Sequence, residues 1–340
     1  MLVEHLLFSN YIKYDKLKDL INESFKGSDA TEINVIIDMY SICKSLYRNN
    51  IEIGNIGSIL TSGIINMVAH YRHFFRNYYG TESTFYIINS INCPMQNISL
   101  YMNYNKSFRY LLSYKKDITD FIKSNIDILN LICRYIPETY FINTDLETGV
   151  IINEAVIKHS AKPNIVITKD QYNYQLSALY DNVVILRPKK IINEDISYYI
   201  NKKNVLPIYF SENNNKYKDT NINPELLSCI MTLSSLSCRD IKKMFTRPKA
   251  VNILQNLIEF HYLLNAHSLD YHNALSKVMD EEKLFIFNQR FNAIDILKQS
   301  LITPNIETRI RIQPYKHDPR ALQHLNNTYF SNNPLDLNKL

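Results

Sequence analysis

The first group in this chain with chemistry in it is an acid that closes an apolar run. Residues 33–38 read INVIID, so the run ends on Asp38. A mostly apolar run of this length marks a strand buried in a parallel sheet. Such strands turn their C-terminal ends toward the crevice where ligands bind. Asp38 is therefore expected at a sheet rim, facing that crevice. The same carboxylate also stands where it would cap the helix that follows, and spacing alone leaves both roles open.

Other familiar chemistries are missing from the sequence. The five cysteines are scattered, and none forms a CxxC pair, which argues against a zinc knuckle and a disulfide framework. They read as reduced, mostly buried thiols of a cytosolic protein. The nine histidines include no HExxH, and the chain has neither a P-loop nor GxGxxG, so zinc hydrolysis and nucleotide binding are unsupported. A Ser/His/Asp triad cannot be inferred without geometry. Residues 106–135 do carry a pattern: Lys106, Arg109, Lys115, Lys116, Lys123 and Arg134 interleave with tyrosines. Cations beside aromatics suit phosphate neutralisation with base stacking. The same composition also suits a solvated helix with a tyrosine-rich packing face.

These residues need elements to position them. Strands are expected at 33–39, 83–89, 139–143, 164–168 and 181–186, with a short one near 206–210. Helices are expected at 1–25, 40–48, 56–79, 106–135, 150–158 and 171–179. Strand–helix alternation over 33–190 implies a parallel α/β sheet with right-handed crossovers. From Pro224 the pattern turns helical, at 224–236, 240–265 and 267–300, and the tail beyond Pro304 has no clear period. The Asn-rich stretch 211–223 reads as a loop. The expected organisation is an α/β domain over 1–212 and a helical region over 213–340. A net charge of +5 permits an anionic partner without demanding one. No apolar run approaches the roughly 18 residues of a membrane span, and the N-terminal stretch lacks the cleavage site of a signal peptide. Abundant Asn, Ile, Lys and Tyr, all encoded by AT-rich codons, suggest an AT-rich and plausibly viral genome, hence a cytoplasmic protein, in the host cell if viral.

Three stretches in order carry a family resemblance. They are the strand ending in Asp38, the segment NIVITKDQYNYQLSALYDNVVILRPKK (164–190), and ELLSCIMTLSSLSCRDIKKMFTRPKAVNIL (225–254) followed by FNQRFNAIDILKQSLITPNI (287–306). Together they resemble the phage-type 5′–3′ exonucleases and flap endonucleases, whose core is PIN-like and is followed by a helix–three-turn–helix module. The resemblance implies a two-metal phosphodiester cutter in which strand-end carboxylates hold Mg²⁺ or Mn²⁺. It carries over Asp38, Glu147 and Asp170 as catalytic residues. The same three, with Asp145, become the expected metal ligands.

The departures matter as much. Asn89 stands where the family ends its second strand in an acid. Tyr172 replaces the second acid after Thr168-Lys169-Asp170. Leu233 and Leu236 replace both acids of the module's opening motif, and Phe245-Thr246-Arg247-Pro248-Lys249 replaces its glycine-rich hairpin. Residues 106–135 fall where the family carries an arch over single-stranded DNA. Lys115 and Lys116 are the expected phosphate contacts there, along with Arg72 and Arg76 on the 56–79 helix, and Arg247 and Lys249 in the module. The expectation is a DNA-binding protein on a nuclease scaffold with a degenerate acidic site. It would bind flapped, nicked or single-stranded DNA in viral replication, repair or transcription, with other viral replication or transcription proteins as further partners. An active nuclease with a reduced acid set and a scaffold subunit of a viral assembly are the alternatives.

Overall fold

The computed structural model describes residues 32–42, 56–90, 126–144, 146–187, 198–212, 222–234, 244–259, 274–302, 310–330, 334–335 and 337–340, with isolated positions near 22–25. The chain forms two compact units. The first comprises Met1–Lys169, Asn182–Tyr199 and Asn305–Leu340, and the second Asp170–Asp181 and Ile200–Pro304.

The first unit is built on a seven-stranded sheet. Its strands are β1 (Glu32–Asp38), β2 (Glu82–Ser90), β3 (Thr139–Thr144), β4 (Asn164–Ile167), β5 (Val183–Arg187), β6 (Tyr198–Ile200) and β7 (Arg311–Ile312), in the order β6-β5-β4-β1-β2-β3-β7. β1 pairs parallel with both β2 and β4, β3 extends the parallel run from β2, and β5 extends it from β4. β7 closes one edge antiparallel to β3.

Strand pleating divides each strand between two faces. Ile33, Val35 and Ile37 of β1, Phe85 and Ile87 of β2, and Ile165 and Ile167 of β4 point into one apolar core. That core is covered by Ile64, Ile65, Val68, Tyr71, Phe74 and Phe75 of α1 (Ile56–Tyr79). The other face of β1 and β2 is covered by α2 (Thr148–Lys158), which buries Val150, Ile151, Ile152 and Val156. With apolar side chains required on both faces, β1 can be nothing but a near-continuous hydrophobic run.

The stretch expected to be an aperiodic tail folds. It supplies β7, α9 (Pro319–Tyr329) and a 3₁₀ turn at Leu337–Lys339, and it places Leu325, Phe330 and Leu335 in the first unit's core. Residues 206–210 are not a strand: Val205–Glu212 is helix α4, and the short strand lies earlier, at β6. Three large apolar side chains in a row at 205–210 suit a buried helix as well as a strand, and period alone does not separate them.

The second unit also holds α3 (Tyr174–Leu179), α5 (Leu227–Leu233), α6 (Arg247–Glu259), α7 (Glu281–Ile294) and α8 (Ile296–Ile302). The expected single helix over 267–300 is interrupted at Asp295, which lies extended (φ −69°, ψ 119°). Buried Gln175 holds this break: its Nε2 donates to the carbonyls of Ile294 and Tyr172, and its Oε1 accepts from the Ile296 N–H. Asp295 then caps α8 by accepting from the Lys298 N–H at 2.9 Å. The backbone groups freed by the break are thus satisfied.

One cation lies in the first unit's interior. Arg72, on α1, is 1% exposed. Its guanidinium donates to the carbonyls of Leu340 and Pro137 at 2.5 Å each and to Thr139 Oγ1 at 3.0 Å, and it stacks on the Phe85 ring at 5.2 Å. Burial, ahead of the neighbouring Arg76 charge, lowers its pKa to about 10. The turn it grips contains Glu138, a non-glycine residue at φ +45°. Truncation of Arg72 to Ala removes a buried guanidinium from three acceptors, one of them the buried Thr139 hydroxyl, and is expected to cost about 3 kcal/mol. Glu138→Asn, which tolerates positive φ, is expected to return up to about 1 kcal/mol. Thermal or denaturant unfolding of both variants checks this.

Candidate functional site

Polar side chains collect where the parallel strands end. Asp38, the last residue of β1, is 2% exposed. Its Oδ1 accepts from the Ser41 N–H at 3.1 Å, and its Oδ2 accepts from Thr168 Oγ1 at 2.7 Å. Ser41 Oγ lies 3.2 Å from Thr168 Oγ1 and accepts from the Lys169 N–H at 3.0 Å. The two roles left open for Asp38 are therefore combined: it stands at the rim and caps the helical turn at 39–42. The Thr168 contact continues a cross-strand ladder on one face, since Asn34 is paired with Asn164 and Ile36 with Val166.

The described ends of β2 and β3 are neutral. β2 ends in Asn89 and Ser90, β3 in Asn143 and Thr144, and each of these pairs is in register with the other. Asn89 Nδ2 donates to Asn143 Oδ1 at 3.0 Å, and Ser90 Oγ donates to the Leu146 carbonyl. Thr144 Oγ1 accepts from the Leu146 N–H at 3.1 Å. Asn89 is fully buried, and its Oδ1 has no hydrogen-bond partner among the described residues.

Glu147 lies just past this rim, as the N-cap residue of α2. Its side chain makes no capping hydrogen bond, and both carboxylate oxygens are shielded from solvent. The positive end of the helix macrodipole favours a carboxylate there. Asp38 and Glu147 thus belong to the same edge of one sheet, separated by the intervening β2. Two strand spacings amount to about 10 Å. Asp145 lies outside the described residues.

The second unit carries the remaining motif positions. Asp170 N-caps a 3₁₀ turn at Gln171–Asn173, its Oδ1 accepting from the Tyr172 N–H at 2.9 Å. Tyr172 and Leu233, the residues that replace two acids of the resembled family, are both fully buried. Leu236 lies outside the described residues. Among the described residues, no three His, Cys, Asp or Glu side chains gather in an arrangement that would hold a metal. Among the described residues, the donors on the strand ends themselves are one carboxylate with both oxygens already engaged, two asparagines and hydroxyls, with Glu147 just beyond them. Hard divalent cations favour several carboxylates at short range, so this set does not fit a two-metal centre.

The expected cationic contacts divide sharply. Arg72 is directed into the interior, and a guanidinium already bound to two carbonyls and a hydroxyl does not reach a phosphate. Sequence did not reveal this, because Arg72 and Arg76 look equivalent on α1. Arg76 is exposed and paired with Glu82 through Nε and Nη2 at 3.1–3.3 Å. Lys115 and Lys116 lie outside the described residues. Arg247 opens α6, its guanidinium over the Tyr209 ring at 5.3 Å, and exposed Lys249 stands over the Phe245 ring at 5.2 Å.

No protein-family model and no curated protein matches the sequence. Among solved structures, the chain is similar to human GEN1, determined in complex with Holliday junction DNA. That likeness has a TM-score of 0.50 at 10% identity, and it covers 94% of this chain and 73% of that one. The expected PIN-like α/β fold, with a mostly parallel sheet flanked by helices, is the fold observed. No helix among the described residues is long and apolar enough to cross a membrane.

Asp38→Ala removes the acceptor of a buried N–H and of a buried hydroxyl, and is expected to cost about 2–3 kcal/mol. Asp38→Asn keeps an acceptor for Ser41 and offers the Thr168 hydroxyl a donor, and is expected to cost under about 1 kcal/mol. Unfolding of the two variants without DNA or metal measures the difference.

Proposed function

We propose that this protein is a DNA-binding relative of the 5′–3′ exonucleases and flap endonucleases whose cutting site has been neutralised, acting in viral DNA replication, repair or transcription. One observation carries the reading. The C-terminal rim of the parallel sheet is built from Asn89, Ser90, Asn143, Thr144 and Thr168, with Asp38 hydrogen-bonded among them. Amides and hydroxyls do not neutralise two divalent cations, and metal-assisted attack on a phosphodiester depends on ligand charge and geometry. The polymer contacts do not depend on that set.

The fold it shares with a protein solved on junction DNA supports a nucleic-acid partner. So does the start of α6. Its first turn holds Arg247 and Lys249 with no acid. Cations at a helix N-terminus oppose the macrodipole, so they weaken the isolated helix and strengthen its hold on an anion. In this reading Arg247 and Lys249 contact phosphate, with Lys115, Lys116 and Arg76 as further contacts. Flapped, nicked or single-stranded DNA is the substrate class.

A second reading keeps activity with a reduced acid set: Asp38, Glu147 and Asp170, with Asp145, would hold a single Mg²⁺ or Mn²⁺. The common sheet edge of Asp38 and Glu147 favours it. One assay separates the two. A labelled 5′-flap duplex is expected to bind, with affinity falling by orders of magnitude between about 50 and 200 mM salt, and to remain uncut in Mg²⁺ or Mn²⁺. Metal-dependent cleavage that disappears in Asp38→Ala and Asp170→Ala would establish the second reading. Absence of DNA binding at low salt would leave a scaffold role in a viral assembly.

A further inference from the structure

The β7 edge of the first unit carries a surface that none of the functions above uses. β7 runs antiparallel to β3, pairing Ile312 with Ile142. The chain beyond Ile312 therefore travels away from the Asp38 rim, toward the opposite end of the sheet. It runs Gln313-Pro314-Tyr315-Lys316-His317-Asp318-Pro319-Arg320. Ile312 and Tyr315 are 49% and 41% exposed, and Lys316, His317 and Arg320 are exposed with them.

Three features distinguish this segment from an ordinary solvated loop. It is held in place: the Lys316 N–H donates to the Arg134 carbonyl at 2.7 Å, and two prolines restrict its backbone. Its charge is one-sided: Lys316 and Arg320 have no ion-pair partner among the described residues. The one acid, Asp318, is committed to α9, where its Oδ1 accepts from the Ala321 N–H at 2.9 Å. Finally, Arg134 at the base of the loop has a buried Nε with no hydrogen-bond partner among the described residues. A buried donor left in that state is costly. The aromatic component sits beside these cations, with Tyr315 Oη 3.0 Å from His317 Nδ1 and the two rings 6.3 Å apart.

We infer that the Arg134–Lys316–Arg320 surface, with Tyr315, is a second DNA contact that grips a single-stranded segment at the end of the sheet opposite the Asp38 rim. The three cations meet phosphates, and the exposed Tyr315 ring offers a stacking face for a base. Aromatic groups among the cations favour a nucleic-acid strand over an acidic peptide. A loop already ordered before binding loses little entropy on contact. The inference rests on the DNA-binding reading above, though on none of the residues that carry it.

The test compares Lys316→Glu/Arg320→Glu, Tyr315→Ala and Lys249→Glu with the unaltered full chain, by fluorescence anisotropy on oligo(dT) and on a 5′-flap duplex across a salt series. The double variant is expected to lose at least tenfold in oligo(dT) affinity, with the salt slope reduced by about two. Tyr315→Ala is expected to lose several-fold at unchanged slope, because stacking releases no counterion. Unfolding curves that superpose on the unaltered protein exclude misfolding, as all four altered side chains are exposed. If the double variant binds as the unaltered chain does while Lys249→Glu is weakened, the edge surface is overturned and the DNA reading stands. If the unaltered chain binds neither DNA, both fall. If it binds only polyglutamate, and through Lys316 and Arg320, the partner class assigned here is wrong.

Discussion

Parallel pairing on both sides of β1 is the constraint from which the rest follows. A strand hydrogen-bonded to β2 on one edge and β4 on the other, and buried under α1 and α2 on its faces, has no route to solvent except at its ends. Any polar side chain it carries must find a partner inside the protein. Asn34 does so with Asn164 at the start of the strand, and Asp38 does so with Ser41 and Thr168 at its finish. The apolar residues between them supply both cores.

That requirement also shapes the other strand ends of the sheet. In a metal site, strand-end carboxylates repel one another and depend on cations for stability. Asparagine and hydroxyl side chains carry no such repulsion, and here they hydrogen-bond along the rim through Asn89–Asn143, Ser90–Leu146 and Asp38–Thr168. These hydrogen bonds tie the ends of neighbouring strands together. In the second unit, Tyr172 and Leu233 are fully buried core residues.

The segment after Asn305 has a comparable structural weight. It adds β7 to the sheet, contributes Leu325, Phe330 and Leu335 to the core under α1, and brings the Leu340 carbonyl to Arg72. The buried guanidinium joins three distant parts of the chain: α1, the turn before β3, and residue 340. It is satisfied only when all three are in place, which couples the closing segment to the sheet.

The sequence by itself determined the sheet: runs such as INVIID and NIVIT are too apolar to lie anywhere but between two packed layers, and the strand ends follow from where those runs stop. It also marked Asp38 as a rim residue. Tertiary structure alone decided the fates of Arg72 and Arg76, two arginines one helical turn apart on α1. One points inward to carbonyls and the other outward to Glu82, a difference set by what packs around α1 and not by spacing. The same holds for the helix at 205–212, whose apolar run suits either element, and for the segment after Pro304. Its short elements show no period because their burial is set by distant contacts with α1 and β3.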